Sequence, residues 1–195
     1  MKRLGILGGT FNPVHTAHLI IAESAREQLQ LDKILFIPSA NPPHKSDDII
    51  DAQIRMDLVK AAITDNKYFE ASDIEITGSQ HSKSFTVDTL VKINEIYKGI
   101  KVFLLIGMDN LAELHTWKGP ERLFELADVV VLNRPGYLVN ARKDFGDRVK
   151  MIAVPNIEIS STDIRRRIKE GKSIKYLVPG EVEKYIIHKK LYVNC

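Results

Sequence analysis

The residues best suited to chemistry stand toward the two ends of the chain, and both sets are of the kind that handles phosphate. After Leu7 comes Gly8-Gly9-Thr10-Phe11-Asn12-Pro13-Val14-His15-Thr16-Ala17-His18, followed by a stretch in which Leu19, Ala22, Ala25 and Leu29 recur at helical spacing. Two glycines let a ligand approach the backbone closely, and the amides of a helix starting here make an anion site. With a helix beginning near Thr16, His15 and His18 face the same side, one just before the first turn and one inside it. A protonated histidine at a helix N-terminus is disfavoured by the dipole unless an anion lies nearby, so phosphate binding and histidine protonation are coupled. The plainer reading is one capping and one core histidine. A zinc pair would need further cysteine or acidic ligands, which are not clustered here.

The second set is Ile159-Ser160-Ser161-Thr162-Asp163-Ile164-Arg165-Arg166-Arg167-Ile168. Ser161 or Thr162 is placed to cap a helix, and hydroxyls, amides and Arg165 one turn on form a second phosphate cradle. Capping alone is the plain alternative. Arg165 to Arg167 could equally be a solvated face or an RNA-contacting patch, although Ile164 and Ile168 interrupt the run at helical spacing.

Two other glycine patterns carry less. Gly5, Gly8 and Gly9 do not match the G-x-G-x-x-G dinucleotide fingerprint, which weakens hydride chemistry on a bound nicotinamide cofactor. Gly171-Lys172-Ser173 reads like the tail of a P-loop, but Arg166 stands where the first glycine should be and the segment follows a helix; it reads as a helix stop.

The elements that must position these residues alternate. Strand-like runs Leu4 to Leu7, Ile34 to Pro38, Val102 to Ile106, Val129 to Leu132 and Met151 to Val154 show little polar alternation, as burial on both faces produces. Between them Ile54, Leu58 and Ala62, then Val87, Leu90, Asn94 and Tyr97, recur at helical spacing. Pro120 after Gly119 opens a short helix, and Pro179 opens a last one through Val182, Ile186 and Lys190. This pattern predicts an α/β fold with a Rossmann-like doubly wound, mostly parallel sheet and helices on both faces. Ligands of such sheets bind beyond the carboxyl ends of the strands, where strand order reverses. Asn41 to Asp51 and Asn133 to Val149 read as loops.

Composition sets the outer limits. The 195 residues suit one domain, 1–195, whose helical part from about 160 contributes the second phosphate motif. With 44% hydrophobic and 27% charged residues, disorder and fibrous arrays are not expected. The net charge of +3 barely favours an anionic partner, and no nucleic-acid partner is expected. No apolar run approaches the roughly 20 residues of a membrane span, and the start lacks a signal-peptide core. A single cysteine, Cys195, is compatible with a reducing cytoplasm.

The two phosphate motifs together resemble the nucleotidyltransferase superfamily, with its T/HxGH signature and its late ISSTxxR signature. Pro42-Pro43-His44-Lys45, Ser84-Phe85-Thr86, Ile106-Gly107-Met108-Asp109, His115-Thr116-Trp117-Lys118, Arg134-Pro135-Gly136 and Tyr176-Leu177-Val178-Pro179 through Leu191-Tyr192 narrow the likeness. In that order they resemble the bacterial nicotinate-mononucleotide adenylyltransferases over nearly the whole length. The reaction this implies moves AMP from ATP to nicotinate mononucleotide, giving nicotinate adenine dinucleotide and pyrophosphate in NAD biosynthesis, with Mg2+ carried by the ATP phosphates rather than by a protein site. The same reaction on nicotinamide mononucleotide is the near alternative, and a non-catalytic nucleotide- or RNA-binding module the distant one.

The likeness implies roles as well. His18 is the main contact to the transferring phosphate, supported by His15, with Gly8, Gly9, Thr10 and Phe11 on the ATP side. Lys45 would meet phosphate charge; Ser161, Thr162 and Arg165 would take the β- and γ-phosphates. Gly107 and Asp109 would meet the nucleotide and its ribose, and Arg134 the adenylate. Thr86 would receive the pyridine carboxylate, with Trp117 stacking on the ring and the Lys118 backbone completing the site. Ala17 stands where glycine is usual and could crowd the nucleotide; Asn12 replaces a common aspartate and Lys118 a common tyrosine. His44, His81, His115 and His188 have no partner in this scheme, and a homo-oligomer is left open.

Overall fold

Val102, Phe103, Leu104, Leu105 and Ile106 are each no more than 3% exposed, and their neighbours in space divide them by parity. Phe103 and Leu105 pack into one apolar cluster, and Val102, Leu104 and Ile106 into another on the opposite face of the sheet. A strand covered on both faces needs apolar residues at every position, which is why these runs show no alternation. The structure is a computed structural model that describes residues 1–41, 49–77, 84–133 and 145–193.

Six strands form one parallel sheet: β1 Arg3–Gly9, β2 Lys33–Pro38, β3 Phe69–Ala71, β4 Lys101–Gly107, β5 Asp128–Asn133 and β6 Lys150–Ala153. Their order is β3-β2-β1-β4-β5-β6. Leu7 lies opposite Phe36 on one side and Leu105 on the other. The chain winds outward from β1 to β3, returns to pair β4 with β1, and winds outward again. The reversal lies between β1 and β4. The expected doubly wound architecture is present, and among the described residues every strand pair is parallel.

Helices cover both faces. On the first, α1 Thr16–Leu29 and α2 Ala52–Ala62 bury Ala22, Ala25, Leu29, Leu58 and Val59. On the second, α3 Thr86–Ile96, α4 Met108–Glu113 and α5 Pro120–Leu126 bury Val87, Leu90, Ile93, Leu111 and Leu123. The last two helices, α6 Ser161–Lys169 and α7 Gly180–Lys189, return to the first face through Ile164, Val182 and Ile186. Each such side chain contributes about 1.5–3 kcal/mol on burial. No helix among the described residues is long and apolar enough to cross a membrane.

Local chemistry sets the helix ends. Asp51 caps α2 by accepting from the Gln53 amide at 2.8 Å. Gly171, at φ +64°, ends α6, with the Lys172 amide bonded to Arg167 O at 2.8 Å. This is the helix stop expected of Gly171-Lys172-Ser173. The cap of α6 needs correction: it is Ser160, whose hydroxyl accepts from the Asp163 amide at 3.1 Å, and not Ser161 or Thr162. Two elements carried no periodic signal. β3 has three residues at a sheet edge, and α4 a single short run directly after β4. Asn133, expected in a loop, closes β5, and residues 146–148 form a 3₁₀ turn.

Candidate active site

α1 begins at Thr16, with His15 as its N-cap. The His15 backbone N–H donates to His18 Nδ1 at 3.2 Å, and the two rings stack 3.7 Å apart. Because Nδ1 accepts, a neutral His18 ring carries its proton on Nε2. Phe11 meets the His18 ring edge-on at 5.1 Å. His15 is 6% exposed and does not line the cleft; His18 does. The histidine pair is therefore divided, one imidazole holding the other.

The start of α1 is not the open anion site that its position suggests. The Thr16 amide donates to Leu177 O at 2.9 Å, the Thr16 hydroxyl to Tyr176 O at 3.1 Å, and the His18 amide to His15 O at 2.9 Å. The chain leading into α7 has taken part of what a ligand would use. Phe11 likewise turns its ring into the core, 3% exposed and packed on Phe36. A Cβ at Gly9 would stand 3.1 Å from that ring, so a larger residue there would have to push the ring aside by a few tenths of an ångström. A Cβ at Gly8 would meet nothing within 4 Å, so nothing in the described structure crowds that position. Ala17 is 2% exposed and outside the cleft lining, so its methyl faces protein rather than nucleotide.

A cleft of about 1040 Å³ opens at the carboxyl ends of β1 and β4, at the reversal of strand order. Gly8, Gly9, Thr10 and His18 line it from β1 and α1; Gly107, Asp109, Trp117 and Lys118 from β4 and beyond; and Thr86 from α3. A Cβ at Gly107 would come within 2.5 Å of Asp109 Oδ1, so only glycine permits that aspartate conformation.

α3 starts without a side-chain cap. The Asp88 and Thr89 amides turn back to Phe85 O, which leaves those of Thr86 and Val87 outside the helix ladder. Asp88 pairs with Lys118 Nζ at 2.8 Å and so ties the Trp117–Lys118 turn to that end of α3. Both side chains are about half exposed, so the pair places the turn more than it stabilises the fold.

The second motif comes to the first loop but not to the cleft lining. Ser161 Oγ donates to Pro13 O at 2.8 Å, and Arg165 Nη1 to Asn12 O at 2.9 Å. Thr162 Oγ1 receives Arg165 Nη2 at 3.5 Å. These side chains brace the loop that precedes α1. Arg166 is engaged by Asp163 and Glu170, and Arg167 by Ser173 O. Lys45, Arg134, His44, His81 and Cys195 lie outside the described residues.

Two residues escaped the sequence reading, and a third, Tyr192, entered it without a role. Arg55, 1% exposed, donates to Thr10 O and Ser39 O at 2.7 Å and to Ile50 O at 3.0 Å, fastening the exits of β1 and β2 together. Burial holds its guanidinium below the usual value. Its one sequence signal is that it stands in helical phase with Leu58, Val59 and Ala62. Tyr192, 2% exposed, donates its hydroxyl to Asn12 Oδ1 at 3.1 Å from the far end of the chain. Glu75 lines the cleft and accepts from Thr89 Oγ1 at 2.8 Å; burial pushes its carboxyl up.

Residues 6–167 match the cytidylyltransferase-like family model. The chain is 43% identical over 194 residues to a protein of Exiguobacterium sibiricum named "Probable nicotinate-nucleotide adenylyltransferase", covering 98% of this chain and all of that one. It belongs to the nicotinate-nucleotide adenylyltransferase family. A Desulfitobacterium hafniense member of the same name is 40% identical over 200 residues, covering 98% of this chain and 96% of the relative. A Plasmodium falciparum nicotinic acid mononucleotide adenylyltransferase complexed with NaAD superposes with a TM-score of 0.80, covering 98% of both chains at 18% identity. That likeness, at 18% identity, is one of fold.

Proposed function

We infer that the cleft at the β1–β4 reversal joins the AMP moiety of ATP to nicotinate mononucleotide, releasing pyrophosphate and the deamido dinucleotide used in NAD biosynthesis. The observation that carries this reading is that His18 and the uncapped start of α3 face one cleft from opposite sides of the strand reversal. One end of that cleft offers an imidazole N–H to phosphate, and the other offers helix amides to a carboxylate.

In the reaction a phosphate oxygen of the mononucleotide attacks the α-phosphorus of ATP, and the bond from that phosphorus to the pyrophosphate oxygen breaks. The attacking phosphate monoester has a second pKa of about 6 and needs no general base at neutral pH. What it needs is alignment of two anions and donors for the charge that grows on the α-phosphate. His18 Nε2–H is the donor we assign to that charge, His15 and Phe11 hold its ring, and Gly8 leaves room for phosphate. Asp109 is placed to accept from ribose hydroxyls, with Gly107 setting its conformation. Ser161 and Arg165 serve the triphosphate indirectly by fixing the loop at Asn12 and Pro13. Mg2+, carried by the ATP phosphates in this reading, would offset charge on their oxygens.

Thr86 and its neighbouring amide receive the pyridine carboxylate, and Trp117 stacks on the ring. Donor groups at a helix N-terminus favour an anion over a carboxamide, whose NH2 would face N–H groups. Lys118 reaches this site through its backbone, since its side chain is held by Asp88. A cytoplasmic setting goes with this reading, and neither nucleic acid nor membrane is needed. The test is pyrophosphate release from ATP, measured with nicotinate or nicotinamide mononucleotide. We expect release that depends on the mononucleotide and a kcat/KM at least about 10²-fold higher for the carboxylate form; a preference for the amide form would overturn the substrate assignment.

A further inference from the structure

Two anions compete for the start of α3. Asp88 stands in the first turn of the helix, where a carboxylate is drawn to the positive end of the dipole. The same turn carries the amides of Thr86 and Val87, assigned above to the pyridine carboxylate. A helix end that already has an anion of its own attracts a second one less. Lys118 removes the conflict. Its Nζ lies 2.8 and 3.2 Å from the two carboxylate oxygens of Asp88. The same ammonium sits 4.7 Å from the ring centroid of Phe85, the N-cap residue of α3, where attraction to the ring face adds to the ion pair. It is thus held from both ends of that turn, beside Asp88 and over Phe85. Thr86, Trp117 and Lys118 line the cleft, so this charge stands in the wall that faces a ligand. Asp88 is not among the lining residues and acts on the cleft only through its field.

We propose that the Lys118 ammonium sets the preference for an acidic mononucleotide by neutralising Asp88, which leaves the N-terminal field of α3 to the substrate carboxylate. The pair carries no net charge, whereas Asp88 alone would place a negative charge in the turn that receives the anion. A carboxamide is neutral and responds weakly to either state. The Lys118 side chain acts through Asp88 and not on the substrate, apart from the contact assigned to its backbone. Both side chains are half exposed, which keeps the effect to about fivefold, the upper end for one charge in a first turn. The proposal rests on the reading of α3 as the carboxylate-binding end.

Opposite signs from the two sides of one bond make the test. The readout is the ratio of kcat/KM for nicotinate mononucleotide to that for nicotinamide mononucleotide. Lys118→Met leaves Asp88 unpaired and should lower the ratio about fivefold. Asp88→Asn leaves the ammonium without its counter-ion and should raise it by about the same factor. The double variant should return to within about twofold of the parent ratio. Raising the ionic strength from about 0.1 M to about 1 M shortens the Debye length from about 10 Å to about 3 Å and should shrink both shifts. A pair that only ties the Trp117–Lys118 turn to the helix gives another pattern, in which both single variants move the ratio in the same direction. That pattern, or a ratio unchanged in both variants, overturns the proposal. If one variant does not fold, the sign and the salt dependence of the other's shift decide. Failure of the underlying reading would look different: the unmodified protein would then show no preference for nicotinate over nicotinamide mononucleotide, whatever the variants did.

Discussion

Arg165 Nη1 donates to the backbone carbonyl of Asn12 at 2.9 Å, across 153 positions of sequence. With Ser161 Oγ on Pro13 O, this bond makes the late serine-arginine motif a brace for the glycine-histidine loop rather than a separate cradle. Arg165→Met keeps the aliphatic stem and removes the donor. The loop should then sample more conformations, raising KM for ATP about tenfold and lowering Tm by a few degrees. Steady-state kinetics with thermal unfolding checks both, and an unchanged KM for ATP would detach this motif from the nucleotide.

His18 offers its Nε2–H because Nδ1 is engaged by the His15 amide. Removing one preorganised donor to developing charge typically costs about 3 kcal/mol, or about 10²-fold or more in rate. His18→Ala should lower kcat by at least that factor with the circular dichroism spectrum preserved. Near-normal turnover would show that another group carries the phosphate charge.

Arg55 has no substrate role here, yet its loss should be felt strongly. Arg55→Leu leaves the carbonyls of Thr10, Ser39 and Ile50 without their donor. Buried acceptors left unsatisfied should destabilise the fold by about 3 kcal/mol or more, a fall in Tm of about 10 °C for a chain of this size. Differential scanning calorimetry measures this directly. A variant as stable as the parent would mean that water replaces the guanidinium.

The Glu75 carboxyl is pushed above its usual 4.5 by burial, against the opposing pull of the Thr89 hydroxyl. A carboxyl whose pKa rises on folding binds its proton more tightly in the native state. Its contribution to stability is therefore present at acid pH and lost as pH climbs through the native value. Relative to Glu75→Gln, which has no such titration, the protein should be less stable at a pH well above the ordinary carboxyl range than at one within it. Urea unfolding at the two pH values gives the difference, and parallel curves would place Glu75 in a more solvated setting.

The periodicities carried much of the fold. Unbroken apolar runs such as Val102 to Ile106 mark strands covered on both faces, and α1 and α3 begin at Thr16 and Thr86, where helical spacing takes over. Elements too short for a period left no trace: β3 is held by pairing with β2, and α4 by its place after β4. The histidine loop and the serine-arginine helix stood out in the sequence because residue type and order along the chain are local properties.

Which of those groups remain available to a ligand was not local. The Thr16 amide, the Phe11 ring and the Arg165 guanidinium are all satisfied within the protein, by segments far away in sequence. Arg55 and Glu75 look like ordinary helix and loop charges until β1, β2 and α3 are brought side by side. The sequence alone determined the succession of strands and helices and the kinds of groups at their ends, since short-range sterics and side-chain period govern both. The tertiary structure decided which donors face the cleft and which are consumed in building it, because a hydrogen bond between distant segments exists only once packing has placed both partners.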